Sequence, residues 1–486
     1  MTPEQKVKGC EEVQVAATVS SQAAPLIESL RAQAQKILGA VFSEPLTGFT
    51  VGSLGNFPYY WQNPSNLKFN HLTYNWISAN LLANTSPAQL GSANGFTNLY
   101  IEALGSISYQ LSTTDQAQLT KAQQNATNQQ AALLSAWQAA YGSIPPATAT
   151  QQPIDIIMNT IATNWASPAT TLSAIQSSHN LNALLNNMPA SGKTIAPVLA
   201  QYLNALGSSI SLQNATTMNT GYIQQALAAV QSPSSSNGGL STDDGNENPS
   251  YAVSTQLADI LNGLQDTANV VALSLGISRD SSSEYRVTMN GGSGFDIPIL
   301  FFFTLGVDGN ESYFQDSIAT SSNTVDIQMT FPGVTSVNFG PTGYNISTGQ
   351  DWFWMEPITD AIANGTKDVS GFKFAPNPNI DFSANGPFGY LTGAAIAGYP
   401  TVVISVTSSD YASIAETFQQ SESHEITFLG IPLGGSSEST YSSSVNVNSS
   451  AQSVTITLTP PPQTVSGQAV SSTAWVLGVE TNYPAA

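Results

Sequence analysis

Charged side chains are scarce in this chain. Asp, Glu, Lys and Arg together make up 9% of its 486 residues, against about 25% in an ordinary soluble domain. Hydrophobic residues make up 41%, which is enough apolar material for sizeable cores. The polar surface must therefore be built largely from Ser, Thr, Asn and Gln.

Basic residues are the scarcest of the charged ones: 11 Lys and Arg stand against 31 Asp and Glu, and the formal net charge is −20. A nucleic-acid-binding protein needs a basic surface to neutralise phosphates, so this class is excluded. The same charge argues against docking on an anionic membrane by electrostatic attraction. The expected partner is therefore a protein, a glycan, or a membrane that is bound without electrostatic attraction.

Cysteine occurs once, at Cys10. A single cysteine excludes a disulfide framework and a zinc site built on paired cysteines. The three histidines lie far apart in sequence, and there is no Gly-x-Ser-x-Gly nucleophile turn. We therefore predict no metal and no cofactor, and the sequence favours a protein that is not an enzyme.

Long apolar runs are missing as well. No window approaches the roughly 18 consecutive apolar residues of a transmembrane helix. The N-terminus, MTPEQKVKGCEEVQ, lacks the apolar stretch of a secretory signal. Few lysines and many Ser, Thr and Asn residues are nevertheless typical of extracellular proteins. Three interpretations of the location stay open: export with a signal that has been trimmed, non-classical export, and residence in the cytosol.

The chain length predicts two domains, because one core rarely grows beyond about 250–300 residues. Residues 1–242 carry 8 acidic and 7 basic residues, whereas residues 243–486 carry 23 and 4. This asymmetry indicates two differently built regions. We predict a mainly helical domain over residues 1–280 and an acidic, β-rich domain over residues 281–486.

The first region has helical periodicity, with apolar residues recurring every three or four positions over 26–41 and 96–111. A further apolar face from Val198 is expected to end at Gly207. Residues 232–250, rich in Gly, Ser and Pro, predict a flexible loop. After a helix start at Thr113, a heptad-like seam is formed by Leu119, Ala122, Ala126, Gln129, Leu133, Ala136 and Ala140.

The second region alternates apolar and polar residues, as strands do. Residues 325–331 and 454–458 show this period, and the apolar run 297–303 predicts a strand buried on both faces. Residues 352–364 and 410–420 predict short helices. The predicted fold class is therefore α+β: an N-terminal helical bundle followed by a β-rich, sandwich-like domain, antiparallel or mixed, with one or two short helices.

Two carboxylates are weak catalytic candidates. Glu356 and Asp360 lie four residues apart on a predicted helix, directly after Trp352 and Trp354. A sugar-cleaving site needs paired acids, and aromatic rings can stack on the sugar. Clustered aromatic residues are equally typical of a protein core, so both interpretations stay open.

A second aromatic group occupies an uncharged stretch between predicted helices. Such residues line ligand grooves, form membrane-interface belts or cap a helical core. Together with Trp352 and Trp354, the candidate ligand-binding residues are Tyr59, Tyr60, Trp61 and Trp76.

Residues 382–409 contain no charged residue. Their glycines and prolines forbid a regular helix. We expect either a glycine-rich apolar hairpin that enters a bilayer, or two buried strands around a Gly-Tyr-Pro turn. The candidate membrane-contacting residues are Phe388, Tyr390, Leu391, Ile396 and Tyr399.

Three functional classes follow. The leading one is a non-enzymatic, toxin-like interaction protein with a remodellable neutral bundle and a β-rich domain that recognises a membrane, receptor or glycan. The second is a carbohydrate-active hydrolase that uses the paired acids. The third is a structural or self-assembling protein, because low charge density favours association into a homo-oligomer.

Overall fold

A computed structural model of the chain describes residues 29, 32–38, 61–62, 68–70, 74, 96–161, 193–241, 246–279, 285–289, 296–299, 303–305, 318, 320, 322–383, 386–421, 426–428, 431–432, 441–460 and 475–483. Helices lie mainly in the N-terminal half, and antiparallel sheets lie towards the C-terminus. The predicted α+β fold class is confirmed.

Residues 32–38 are helical and fall within the first predicted helix. The named helices, in chain order, are α1 (Phe96–Gly105), α2 (Thr113–Tyr141), α3 (Pro153–Ile161), α4 (Ala196–Gln231), α5 (Leu257–Gln265), α6 (Glu356–Asn364) and α7 (Tyr411–Ser421).

The strands, in chain order, are β1 (Trp61–Gln62), β2 (Lys68–Asn70), β3 (Ile107–Gln110), β4 (Leu240–Ser241), β5 (Glu247–Asn248), β6 (Ser250–Val253), β7 (Val271–Arg279), β8 (Tyr285–Met289), β9 (Asp296–Ile299), β10 (Phe303–Leu305), β11 (Thr324–Phe331), β12 (Thr335–Pro341), β13 (Gly371–Phe374), β14 (Tyr390–Ala397), β15 (Thr401–Thr407), β16 (Ile426–Phe428), β17 (Ile431–Pro432), β18 (Ser442–Asn448), β19 (Ser453–Thr459) and β20 (Trp475–Asn482).

The chain divides into two compact units that interleave in sequence. The first comprises Met1–Ala103, Ala226–Met355 and Asn379–Ala486, and the second comprises Leu104–Gln225 and Glu356–Pro378. Residue 280 therefore falls inside the first unit. Within residues 232–250, the described part contains a short 3₁₀ turn and the paired strands β4 and β5.

The first unit contains two large sheets that share one core. A seven-stranded sheet has the order β18-β19-β15-β11-β7-β8-β9, and a six-stranded sheet has the order β1-β2-β6-β12-β14-β20. Helix α7 adds Ile414, Ala415 and Phe418 to this core. Buried side chains from both sheets form one cluster, which includes Leu275, Ile327, Ile404, Ile456, Ala395, Ala397 and Leu477.

Strands β14 and β15 belong to different sheets, so the described part of segment 382–409 is not a hairpin of two paired strands. The hairpin expectation is wrong, whereas the alternative of two buried strands around a Gly-Tyr-Pro turn is confirmed. Gly398–Pro400 carries the chain from one sheet to the other, and the Gly398 N–H donates to the Pro332 carbonyl at 2.7 Å. Tyr399 is buried in the shared core at this crossing.

The second unit is mainly helical. The Ser112 hydroxyl caps α2 by accepting from the Asp115 N–H at 3.1 Å. The buried residues of α2 are Leu119, Ala126 and Leu133, which belong to the predicted seam and are spaced seven residues apart. Leu133 packs in a cluster with Ile154 and Met158 of α3, with Leu199 and Leu203 of α4, and with Ile195, which directly precedes α4.

Three predicted elements differ from the observed ones. Helix α4 continues through Gly207 to Gln231, because a helical glycine costs only about 1 kcal/mol and buried residues lie on both sides of it. The predicted helix over 96–111 ends at Gly105, and Ile107–Gln110 pairs with β13 instead. In the run 297–303, residues 297–299 belong to β9 and Phe303 belongs to β10 of another sheet, while 300–302 lie outside the described residues. Pro298 lies in an edge strand of the described sheet, where proline is tolerated.

The sheet order predicts that residues 281–486 alone do not form a stable domain. Such a fragment lacks β7, which lies between β11 and β8 in the seven-stranded sheet, and β6, which pairs with β12. We expect weak circular dichroism and no cooperative unfolding for this fragment, with residues 226–486 giving more strand signal as the comparison. A cooperatively folded 281–486 fragment would contradict the strand order.

Candidate functional site

The seven-stranded sheet carries an uncharged polar surface, because alternate residues of each strand point to opposite sides. In β19, for example, Val454, Ile456 and Leu458 are buried, whereas the residues between them are not. We call the outward side the hydroxyl face. Its residues on five adjacent strands are Ser442, Ser444, Asn446, Asn448, Ser453, Thr455, Thr457, Thr459, Thr401, Val403, Ser405, Thr407, Thr324, Asp326, Gln328, Thr330, Ala272, Ser274, Gly276 and Ser278.

The strand register aligns these residues in rows across the sheet. Thr457 pairs with Ser444 on one side and with Val403 on the other, and Val403 pairs in turn with Gln328. Adjacent strands lie about 4.8 Å apart, and successive outward residues of one strand about 6.8 Å apart. The result is a regular two-dimensional array of short polar side chains.

The array is almost free of charge. Asp326 is the one charged residue among the positions of the hydroxyl face, and all but four positions carry a hydroxyl or an amide. Segments 382–409 and 441–460 contain no Asp, Glu, Lys or Arg at all. In a chain of net charge −20, strands β15, β19 and β18 thus form a neutral end of the sheet.

These groups are suited to a neutral, hydrogen-bonding ligand. Each Ser or Thr hydroxyl both donates and accepts, and each Asn or Gln amide offers both functions. Threonine is restricted at χ1, so ordering it on binding loses little entropy. The face lacks aromatic residues, so contact with a sugar would be by hydrogen bonding along the array.

Sequence reasoning missed this surface. The alternation in residues 454–458 was interpreted through its apolar half alone. The signal was in the polar half, where Thr455, Thr457 and Thr459 alternate with the core residues. Strands β18, β15 and β11 align further polar residues beside these threonines. This alignment depends on the strand register, which the sequence did not reveal.

The predicted ligand-binding residues Trp352 and Trp354 lie in a buried aromatic cluster of the first unit. Their exposed fractions are 1% and 8%. The Trp352 Nε1 donates to the Ser250 carbonyl at 2.8 Å. The Tyr100 hydroxyl donates to the Trp352 carbonyl at 2.8 Å and accepts from the Trp354 N–H at 2.7 Å. Ligand stacking on either indole stays a prediction that requires this cluster to open.

Tyrosines complete the cluster. Tyr74 and Tyr251 stack with ring centroids 4.5 Å apart, and Tyr100 meets Trp352 edge to face at 5.3 Å. The Tyr74 hydroxyl accepts from the Leu391 N–H at 2.8 Å. Burial raises the pKa of Tyr74, Tyr100 and Tyr251 above its ordinary value, because the tyrosinate form would lose its hydration. The cluster therefore stays neutral at physiological pH.

Of the other aromatic candidates, Trp61 lies in β1 opposite Phe69 of β2. Tyr59, Tyr60 and Trp76 lie outside the described residues. Their role in ligand binding stays a prediction.

The predicted carboxylate pair lies on α6, in the second unit. Glu356 and Asp360 are both exposed and one helical turn apart. The loss of some hydration beside the protein surface and, secondarily, the nearby Glu356 charge raise the pKa of Asp360. A raised pKa is the property that a general acid needs, so the pair keeps its place as the weaker candidate.

The predicted membrane-contacting residues lie in or beside the sheets. Phe388, Leu391, Ile396 and Tyr399 are buried, and β14 is hydrogen-bonded between β12 and β20. Tyr390 is half-buried and accepts from the Asn482 side-chain amide at 2.9 Å. Membrane contact by these residues stays a prediction, and it requires β14 to leave its sheet.

The second unit contains a further neutral surface, a cleft of about 390 Å³ beside β3, α2 and α4. Its lining includes Tyr109, Gln116, Gln213, Thr216 and Thr217, and no charged residue. The polar groups that line this cleft are thus amides and hydroxyls, as on the hydroxyl face.

Within the described part of the chain, no helix has the length and apolar character to cross a bilayer. In the same residues, no three His, Cys, Asp or Glu side chains are grouped to hold a metal ion. Comparison with protein-family models, curated proteins and solved structures finds no match. The assignment of function therefore depends on the surfaces just described.

The aromatic cluster predicts a stability effect. Tyr100→Phe keeps the ring but removes both hydrogen bonds of its hydroxyl, so we expect a loss of about 1–3 kcal/mol in the free energy of unfolding. Urea denaturation measures it. Tyr141→Phe, at an exposed position at the end of α2, is the matched control and should change stability by less than about 0.5 kcal/mol. Equal effects would contradict the role given to Tyr100.

Proposed function

We propose that this chain is a non-enzymatic interaction protein that binds an uncharged, hydroxyl-bearing polymer, a polysaccharide, along its hydroxyl face. The observation that carries the proposal is the regular array of hydroxyl and amide groups on β18, β19, β15, β11 and β7. The proposal keeps one part of the leading interpretation of the sequence, the recognition of a glycan by the β-rich domain.

The binding energy would come from many weak contacts. One neutral hydrogen bond contributes only about 0.5–1.5 kcal/mol net, so affinity requires a ligand that repeats its hydroxyl groups along the array. A polysaccharide does so, whereas a single sugar meets only a few of the rows. Short side chains also lose less rotamer entropy on binding than Lys, Arg or Gln would.

The near absence of charge supports a neutral ligand over an acidic or basic one. Ion pairs weaken as salt rises, because mobile ions screen exposed charges. Contacts through hydroxyl and amide groups lack this dependence. We therefore expect binding that is insensitive to ionic strength, in contrast with the behaviour expected for a protein that recognises its ligand by charge.

Retention on insoluble polysaccharides tests the proposal. Cellulose, chitin and starch serve as neutral probes, and alginate serves as the anionic comparison. We expect retention on at least one neutral polymer, unchanged by added salt. Thr457→Lys places a long charged side chain in the centre of the array and should weaken binding at least about tenfold, or about 1.4 kcal/mol.

Thr127→Lys is the matched control, because Thr127 is exposed on α2 in the second unit. It makes the same chemical change away from the hydroxyl face and should leave retention unaltered. Absence of retention on every neutral polymer, or equal retention by Thr457→Lys and the parent chain, would overturn the proposal.

Two other interpretations have distinct outcomes in parallel assays. Dye release from neutral liposomes, by intact protein or by protein nicked within 232–250, would favour the toxin-like, membrane-acting protein. Release of soluble sugars from the same polymers, abolished by Glu356→Gln, would favour a hydrolase. The raised pKa of Asp360 beside Glu356 is the observation that keeps this second candidate.

A further inference from the structure

Among the described strands, β18 lies at the edge of its sheet, and its own sequence carries no residue that blocks pairing. It is first in the order of its sheet and, among the described strands, is hydrogen-bonded to β19 alone. Exposed edges are normally blocked by lysine, proline, a bulge or an inward-pointing charge. The sequence of β18, SSSVNVN, has no such residue, and its register with β19 runs from Ser442 to Asn448 without a bulge.

The opposite edge of the sheet is built differently. There β9 carries Asp296 and Pro298, and the neighbouring β8 carries Arg286. At the β18 edge the three strands β18, β19 and β15 carry no charged residue. A second copy of a protein with net charge −20 would therefore meet no like charge along these strands.

The edge also exposes apolar surface. Val447 is 46% exposed and is among the most exposed large hydrophobic residues described. Val445 lies two residues away on the same side of the strand and is partly buried against the core of the first unit. The core side of the seven-stranded sheet, on which α7 packs, is therefore apolar as far as the edge strand, where Val447 is exposed.

We propose that a second copy of this chain adds its β18 antiparallel to the β18 of the first, around a two-fold axis at Asn446. In this register Val445 of each copy lies opposite Val447 of the other, and Ser444 lies opposite Asn448. The two apolar layers then join on one side, the two hydroxyl faces join on the other, and the backbones of the two β18 strands hydrogen-bond to each other.

Other two-fold registers match the side chains less well. With the axis at Val445, Val447 faces Ser443 of the second copy, and only one position pairs valine with valine. A shift by a single residue is forbidden, because it would place apolar and polar side chains on the same side of the sheet. The sequence of β18 thus favours Asn446 as the centre.

Sedimentation velocity and disulfide trapping test the proposal on the full chain. We expect a monomer–dimer equilibrium within protein concentrations up to about 100 µM. Val447→Lys should shift it towards monomer at least tenfold, because it adds a charge at a tolerant, exposed position. Thr457→Lys, on the other side of the sheet, should leave the dimer intact.

Trapping fixes the register. In a Cys10→Ser background, Asn446→Cys places two cysteines directly opposite at a Cα separation of about 4.5–5.5 Å, which a disulfide can span. Asn448→Cys places them about 14 Å apart along the strands, which it cannot span. Oxidation should therefore give a dimer on a non-reducing gel for the first variant and a monomer for the second.

Three results would overturn the inference: a monomer throughout the concentration range, a dimer unaffected by Val447→Lys, or preferential trapping at position 448. The first would leave the edge open for a strand of another protein. Failure of polysaccharide binding is a separate result, since Thr457→Lys reports on the hydroxyl face and Val447→Lys reports on the edge.

Discussion

The two-residue period of the strands is the constraint on which the first unit depends. In β7, β11, β15 and β19 one set of alternate residues fills the core, and the other set forms the hydroxyl face. The two surfaces cannot vary independently, because a one-residue shift would exchange them. The same register that packs Ile327 against its neighbours therefore aligns Gln328 and Thr457 in one row.

A second constraint follows from the scarcity of charge. Buried polar groups need partners, and in the aromatic cluster they find them through neutral groups. Tyr100 joins two backbone groups of Trp352 and Trp354, and Trp352 reaches the carbonyl of Ser250. No charged residue enters these contacts, so the hydrogen bonds of the aromatic cluster require no charge to be desolvated.

The sequence predicted the elements better than their arrangement. The seam of α2 and the period of β11 were readable because local spacing determines which residues are buried. The helix α4 was predicted too short, because packing around Gly207 outweighed its low helix propensity. Two buried strands around a Gly-Tyr-Pro turn were one predicted alternative for 382–409, but the sequence did not show that these strands belong to different sheets. Such partnerships are set by contacts distant in sequence, and these local patterns did not encode them.

The neutral end of the seven-stranded sheet contrasts with the acidic composition of the second half of the chain. Residues 243–486 carry 23 acidic and 4 basic residues, yet β15, β18 and β19 carry none. Exposed charges act over a Debye length of about 10 Å at 0.1 M salt, so acidic surfaces repel further copies before contact. Along an uncharged strip this repulsion is weakest, and backbone pairing can form there. In the proposed dimer, the charge pattern thus directs association to this edge.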